Sequence, residues 1–311
     1  MKAPITFYDS SWYCYANCTA MLLSAIGEQV SPRLVEVLSA VGLGASIIRD
    51  LPFFGELTPP DRGISQALDL LGFTFTEAAA GTPDEAHLDY LPAVLREGPA
   101  VLGPLDMVHL SYNPLRPPAP GADHYVVAYA SDGERIHLHD PAGFAHVFIE
   151  RTQLARAWRA ESIGYRRGYY RYWTAPRRAT MPSSDEVYDR AIATFRELYR
   201  DAERRAAADK RLIGRGALLA LAEVVRAGSL SDAQRGHLTR FAVPLAAKRA
   251  LDYASFFAGR QATLHTLKLE QARAFGSCLT HLVAASWAAA AAEIAGLAQI
   301  EAAIKDAMLR A

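Results

Sequence analysis

A chain of 311 residues, 51% apolar and 21% charged, is long enough for two domains and apolar enough to build cores, which excludes a disordered polypeptide. Net charge is zero but uneven: residues 1–150 hold 18 Asp/Glu against 7 Lys/Arg, net −11, residues 151–180 hold 8 Arg against one Glu, net +7, and the remainder is net +4. A general nucleic-acid binder, whose basic footprint should dominate the fold, is excluded by that distribution.

Three cysteines in a chain of this length do not make a disulfide framework. The opening residues show no basic segment followed by an apolar one, and no apolar run of about 18 residues is present. A cytoplasmic location away from membranes is expected.

In chain order, a helix is expected over 15–26, stopped by Gly27, and a second follows Ser31-Pro32 as cap and first position. A third is expected over 64–71 before Gly72 and a fourth over 90–96. A short buried strand is expected at 100–102 and a hairpin over 124–140. Further strands are expected at 145–149 and 169–173. Residues 175–184, Ala-Pro-Arg-Arg-Ala-Thr-Met-Pro-Ser-Ser, read as a linker. Beyond them the pattern is helical. Tyr188, Ile192, Phe195, Tyr199 and Ala202 recur at helical spacing after Ser183-x-x-Glu186, and Ala-rich helices continue to Leu309 with breaks near Gly228, Pro244, Gly259 and Gly276. The fold class is therefore α+β, with domains at 1–178 and 184–311, the second an α-helical bundle.

The segment 124–140 places His124 and Asp140 at the outer ends of two β-prone runs joined by Ser131-Asp132-Gly133. With a three-residue turn and Gly133 left-handed, Ala130 pairs with Glu134 and His124 directly faces Asp140. A two-residue loop would put them on opposite faces. An imidazole beside a carboxylate has a fixed tautomer and a stabilised cationic form. Cys14 stands just before the first turn of the first helix, where the helix dipole and unused N–H groups favour thiolate and can hold an oxyanion. Cys14 is the expected nucleophile, His124 the general base and Asp140 the carboxylate that orients it.

Four other readings stand beside this one. Cys18, one turn beyond Cys14, is the alternative nucleophile. Cys14, Cys18, His137 and His139 contain zinc-ligand types. However, His137 and His139 alternate with Ile136 and Leu138 and are expected on a solvated strand face, so no metal or cofactor is expected. Asp106, His109 and Tyr112 follow the buried strand and could line a substrate cleft, with Asp106 and Tyr112 as substrate-binding residues. Arg166, Arg167, Arg171, Arg177 and Arg178 could dock an anion, or form a basic edge or a bridge between the two halves.

Cys14 with its helix ending at Gly27, Gly98-Pro99 through Asp106 to Tyr112, His124-Tyr-Val-Val and Asp140-Pro141 together resemble the N-terminal domain of the butirosin biosynthesis protein H family. The likeness covers about residues 5–175. It implies a papain-like domain related to bacteriocin-processing cysteine peptidases. It also implies a cysteine acyltransferase of secondary metabolism, moving an acyl or aminoacyl group from a carrier-protein thioester to an amine or hydroxyl of a small-molecule acceptor. The resemblance assigns nucleophile, base and carboxylate to Cys14, His124 and Asp140. The Gln that papain-like enzymes commonly carry before the nucleophile is replaced here by Phe7-Tyr-Asp-Ser-Ser-Trp12, leaving Ser10, Ser11 or a backbone N–H for the oxyanion. The residue after the nucleophile is Tyr15 where many relatives have Gly, so Tyr15 and Ser11 join the substrate-binding candidates. A C39-like peptidase or thioester hydrolase would use the same residues, and a non-catalytic papain-like scaffold would use none. The Ala-rich helices could pair two copies of the chain.

Overall fold

The computed structural model describes residues 4–9, 12–48, 50–55 and 57–311. The chain forms two compact units, Met1–Val35 with Pro60–Ser183, and Glu36–Pro59 with Ser184–Ala311.

The first unit begins with α1 (Cys14–Ser24), followed by α2 (Pro32–Ser39), within which the unit boundary falls. The hairpin β1 (Ser46–Ile48) and β2 (Leu51–Phe53), which had no sequence signal, belongs to the second unit. The first unit then resumes with α3 (Pro60–Leu70), β3 (Phe73–Ala80), α4 (Leu91–Glu97), β4 (Ala100–Asp106), β5 (Asp123–Ser131), β6 (Arg135–Asp140), β7 (Phe144–Glu150), α5 (Arg151–Arg159) and β8 (Tyr169–Arg178). Six of these strands form one antiparallel sheet in the order β3-β8-β4-β5-β6-β7. β3 and α5 were not expected, and β8 runs on through Arg178 into what read as linker.

Every residue of β4 is buried, as expected for a strand in the middle of a sheet with both faces covered. Leu91, Leu95, Leu154 and Trp158 pack with Leu102, Val126, Ala128 and Leu138 in one apolar cluster. The rings of Tyr15, Tyr125 and Trp173 form a second contact series, at 6.1 and 6.2 Å between centroids. Arg166, Arg167, Arg171 and Arg178 have partners inside this unit, while Arg177 is exposed. Arg167 Nε lies 2.7 Å from Asp61, Arg171 pairs with Glu77, and Arg178 grips both oxygens of Glu28 at 2.6 Å, while Arg166 stacks over Tyr169.

In the second unit, α6 (Ser184–Asp209) buries the expected face of Tyr188, Ile192, Phe195, Tyr199 and Ala202. α7 (Gly214–Arg226) ends before Gly228, whose φ is +63°. α8 (Asp232–His237) opens with a capping box from Ser231 and Gln234, and a π-helical turn at Leu238–Ala242 leads into α9 (Val243–Phe257), which takes Pro244 in its first turn. Proline has no hydrogen-bonding obligation there, so it does not break the chain's helical course. Nor does Gly276, which α10 (Ala262–Val283) runs straight through; the break comes at Ala284–Ser286, before α11 (Trp287–Arg310). By length and composition α11 could cross a membrane, but Ile294, Leu297, Ala298, Ile304 and Met308 are fully buried within its own unit. Segment 36–59 is tied into this unit by Arg249 to Glu36 at 2.7 Å and by the Tyr253 hydroxyl donating to the Val37 carbonyl.

The β4–β5 ladder carries an irregularity in which Gly103 and Pro104 sit across from Tyr125. A Cβ on Gly103 would overlap the Tyr125 ring, which is itself fully buried. Gly103→Ala should therefore lower stability by roughly 1–3 kcal/mol, the usual cost of overpacking, read as a fall in the urea midpoint at unchanged slope.

Candidate functional site

Cys14 is the first residue of α1, one residue earlier than the sequence suggested. Asn17 donates both its backbone N–H and its side-chain Nδ2 to the Tyr13 carbonyl, at 2.8 and 2.9 Å, tightening the turn that carries the thiol. Residues 15–24 are all buried, leaving Cys14 as the partly exposed end of the helix. It occupies the terminus where backbone N–H groups lack intrahelical acceptors.

His124 and Asp140 meet, but not by the expected register. The observed pairs are Ser131↔Ile136 and Ala130↔His137, then Ala128↔Leu138 and Val127↔His139. The connection is therefore four residues, 132–135, and Tyr129 is an extra residue on β5. Continued one step, the ladder puts Val126 opposite Asp140, with His124 two positions along the same face. Without the bulge, Asp140 would fall opposite Val127 and the pair would be out of phase. A bulge beside a site, re-aiming a side chain, is a recurrent device. The result is a 2.7 Å contact from His124 Nε2 to Asp140 Oδ1, with the two residues 4% and 0% exposed.

The Asp140 carboxylate also accepts the Ala142 N–H on Oδ1 at 2.7 Å and the Tyr112 hydroxyl on Oδ2 at 2.8 Å. Burial alone would push its pKa up, but His124 and these donors outweigh burial and hold it below the usual range. For His124 burial works downward, and it is outweighed by the Asp140 charge and hydrogen bond and by a hydrogen bond with the Cys14 side chain, so the imidazole titrates well above its ordinary value. Because Nε2 serves Asp140, Nδ1 is the ring nitrogen left for proton exchange with a thiol. Burial, then the nearby Cys14 and Asp140, push the Cys18 thiol far up. A group held as the neutral thiol in the core is a poor nucleophile, which separates Cys18 from Cys14.

Several expected site residues have other tasks. Asp106 is 3% exposed and accepts Val108 N–H on Oδ1 and Gly121 N–H and the Ser162 hydroxyl on Oδ2. It caps a 3-10 turn and fastens a loop, and does not line a cleft. Tyr15 is 3% exposed and packs edge-on against Tyr125, so its ring faces the core. Tyr112 turns its hydroxyl inward to Asp140. Ser10 and Ser11 lie outside the described residues. His139 is buried, stacked on Tyr129 at 4.7 Å and beside His146 at 4.4 Å, contrary to the solvated face expected of it. Burial, with His146, pushes its pKa down to about 4. His137 is half-buried. Among the described residues, no group of three or more His, Cys, Asp or Glu is placed to hold a metal. The Ala142 N–H was overlooked, although Asp140-Pro141-Ala142-Gly143, with Gly143 at φ +99°, is a readable Asx-turn pattern.

The sequence profile of the YobF C-terminal domain family matches residues 208–309. Across nearly its full length the chain is 39% identical, over 297 residues and 96% of each protein, to uncharacterized protein YobF of Bacillus subtilis (strain 168). Among solved structures, a chain from Bacillus anthracis described as a C39-like peptidase aligns over 57% of this chain and 99% of its own, with a TM-score of 0.40 and 14% identity. That likeness is too distant to carry an argument. The relationship shown is to YobF, where the motifs had resembled the butirosin biosynthesis protein H family.

Burial makes a direct expectation for thiol chemistry. Cys18 is fully buried, and burial pushes Cys278 up to about 12. Brief iodoacetamide treatment of the native protein should label Cys14 and spare the other two, as read by peptide mass spectrometry. Labelling of Cys18 ahead of Cys14 would remove Cys14 from consideration.

Proposed function

The chain belongs to the YobF family, and from the geometry of its first unit we propose that it is a cysteine acyltransferase working through an acyl-Cys14 intermediate. The observation that carries this reading is the buried His124–Asp140 pair at 2.7 Å, with Cys14 opening α1 close enough to His124 to help raise the imidazole pKa. A thiol opening a helix, with imidazole and carboxylate on adjacent antiparallel strands, is also the arrangement of papain-like enzymes.

In the proposed cycle the Cys14 proton passes to His124 Nδ1 as Sγ attacks the carbonyl carbon of the donor, a thioester. The tetrahedral adduct collapses, the C–S bond to the donor breaks, and His124 returns the proton to the departing thiolate. An amine or hydroxyl then attacks the acyl-Cys14 carbonyl while giving its proton to His124. Collapse of the second adduct releases amide or ester, and the His124 proton restores the Cys14 thiol. Asp140 holds the imidazole in the tautomer this needs and balances the cation formed in each half. The motif resemblance supports a carrier protein as the source of the thioester. Water entering in place of the amine or hydroxyl would make the protein a thioester hydrolase or peptidase.

Incubation with an acyl-N-acetylcysteamine thioester should leave one acyl group on Cys14, seen by intact-protein mass spectrometry. Cys14→Ala should fold and show neither adduct nor turnover. An active Cys14→Ala protein refutes the proposal, and release of free acid independent of added amine assigns the enzyme to hydrolysis. A second expectation concerns pH. Since Asp140 lifts the His124 pKa, the free imidazole that the cycle needs as base forms only above the ordinary value of 6.5, and the acidic limb of activity lies above that pH. Asp140→Asn removes the lifting charge and leaves burial pulling downward, so the acidic limb should move to lower pH. The rate should also fall by roughly 10²–10⁴-fold, the usual worth of a positioned acid–base group.

A further inference from the structure

Asp140 sits at the end of β6, and its carboxylate must present one oxygen squarely to His124. Rotation of a carboxylate about its last bond is soft and nearly two-fold, so one anchored oxygen leaves the plane of the group free to swing. Ala142 N–H and His124 both address Oδ1. Among the described residues, the donor received by Oδ2 is the Tyr112 hydroxyl, from a residue 28 positions earlier in the chain.

We propose that Tyr112 is a positioning residue of the Cys14-His124-Asp140 site, locking the plane of the Asp140 carboxylate through Oδ2 so that Oδ1 stays on His124 Nε2. This rests on the acyl-transfer reading above and extends it to a residue expected only to contact substrate.

Three observations support the assignment. The Tyr112 ring is braced edge-on against Phe144 at 6.1 Å, and Phe144 is the β7 residue paired with Asp140, so phenol and carboxylate are held by the same piece of sheet. A carboxylate can only accept, so the phenol must donate its single proton to it. Burial first, then the charge of Asp140, push the Tyr112 pKa far up, which keeps that proton in place throughout the working pH range. Tyr112 draws on Oδ2 and leaves Oδ1, the oxygen facing the imidazole, to His124. Its removal therefore frees the carboxylate to rotate and weakens the support given to the imidazolium, which in turn makes Cys14 harder to ionise.

The test uses the full chain and iodoacetamide, following the second-order rate of Cys14 alkylation against pH, with the site verified by peptide mass spectrometry. Tyr112→Phe keeps the ring and deletes the donor. It should shift the midpoint of the profile upward by roughly half to one pH unit, a fraction of what a hydrogen bond to a charged group is worth. In an Asp140→Asn background the same substitution should add no further shift. Incorporation of 3,5-difluorotyrosine at position 112, a stronger donor of unchanged shape, should move the midpoint downward and serves if Tyr112→Phe does not fold. A folded Tyr112→Phe protein with the wild-type profile, an additive shift in the Asp140→Asn background, or an indifferent fluorotyrosine overturns the assignment. If Cys14 of the wild type alkylates no faster than an ordinary thiol, the acyl-transfer reading fails instead, so the two failures are distinguishable.

Discussion

A carboxylate with no solvent exposure is the constraint around which the first unit is arranged. Taking such a group out of water costs several kcal/mol unless charge and hydrogen bonds replace the lost hydration. Asp140 receives the imidazole of His124, the backbone N–H of Ala142 and the hydroxyl of Tyr112. Each comes from a different part of the chain, so the β5–β6 register, the turn after Asp140 and the loop after β4 must all be right together. The same interactions that keep the acid ionised in the interior raise the basicity of the imidazole beside the thiol. Stability and chemistry therefore draw on one network.

Much of this was legible in residue types and spacing. The thiol opening a helix, the stop at Gly27, and a histidine and an aspartate at the ends of a hairpin were all readable. What resisted was the way strands and side chains meet. Local sequence offered no way to distinguish a three-residue turn from a four-residue connection followed by a bulge at Tyr129. The two alternatives differ by an even number of positions, which is why the expected face survived a wrong register. Asp106 and Tyr15 show the converse difficulty: a polar or aromatic residue near a candidate nucleophile reads as cleft-lining until its tertiary partners, Ser162 and Tyr125, are known. β1 and β2, of three residues each, are too short to leave a periodic trace.

The lopsided charge also has its explanation inside the first unit. Acidic residues of the early chain are met by arginines of residues 151–178: Asp89 by Arg151, Asp61 by Arg167, Glu77 by Arg167 and Arg171, and Glu28 by Arg178. The Asp61 side chain is fully buried and that of Arg171 nearly so, which places these pairs among those that specify packing more than they attract partners. The basic run, for which an anion dock, a basic edge and a bridge were all open readings by composition, places four of these five ion pairs against acidic residues of its own unit.

Because segment 36–59 belongs with the helices of 184–311, the polypeptide passes between its two units three times, after Val35, after Pro59 and after Ser183. No single cut releases either unit whole. A protease acting at residues 179–183 would leave both pieces holding parts of the helical unit, and a gene truncated there would encode the first unit with an orphaned insertion of 24 residues. A variant that is to keep both units whole therefore has to retain residues 36–59 and 184–311 as a matched pair.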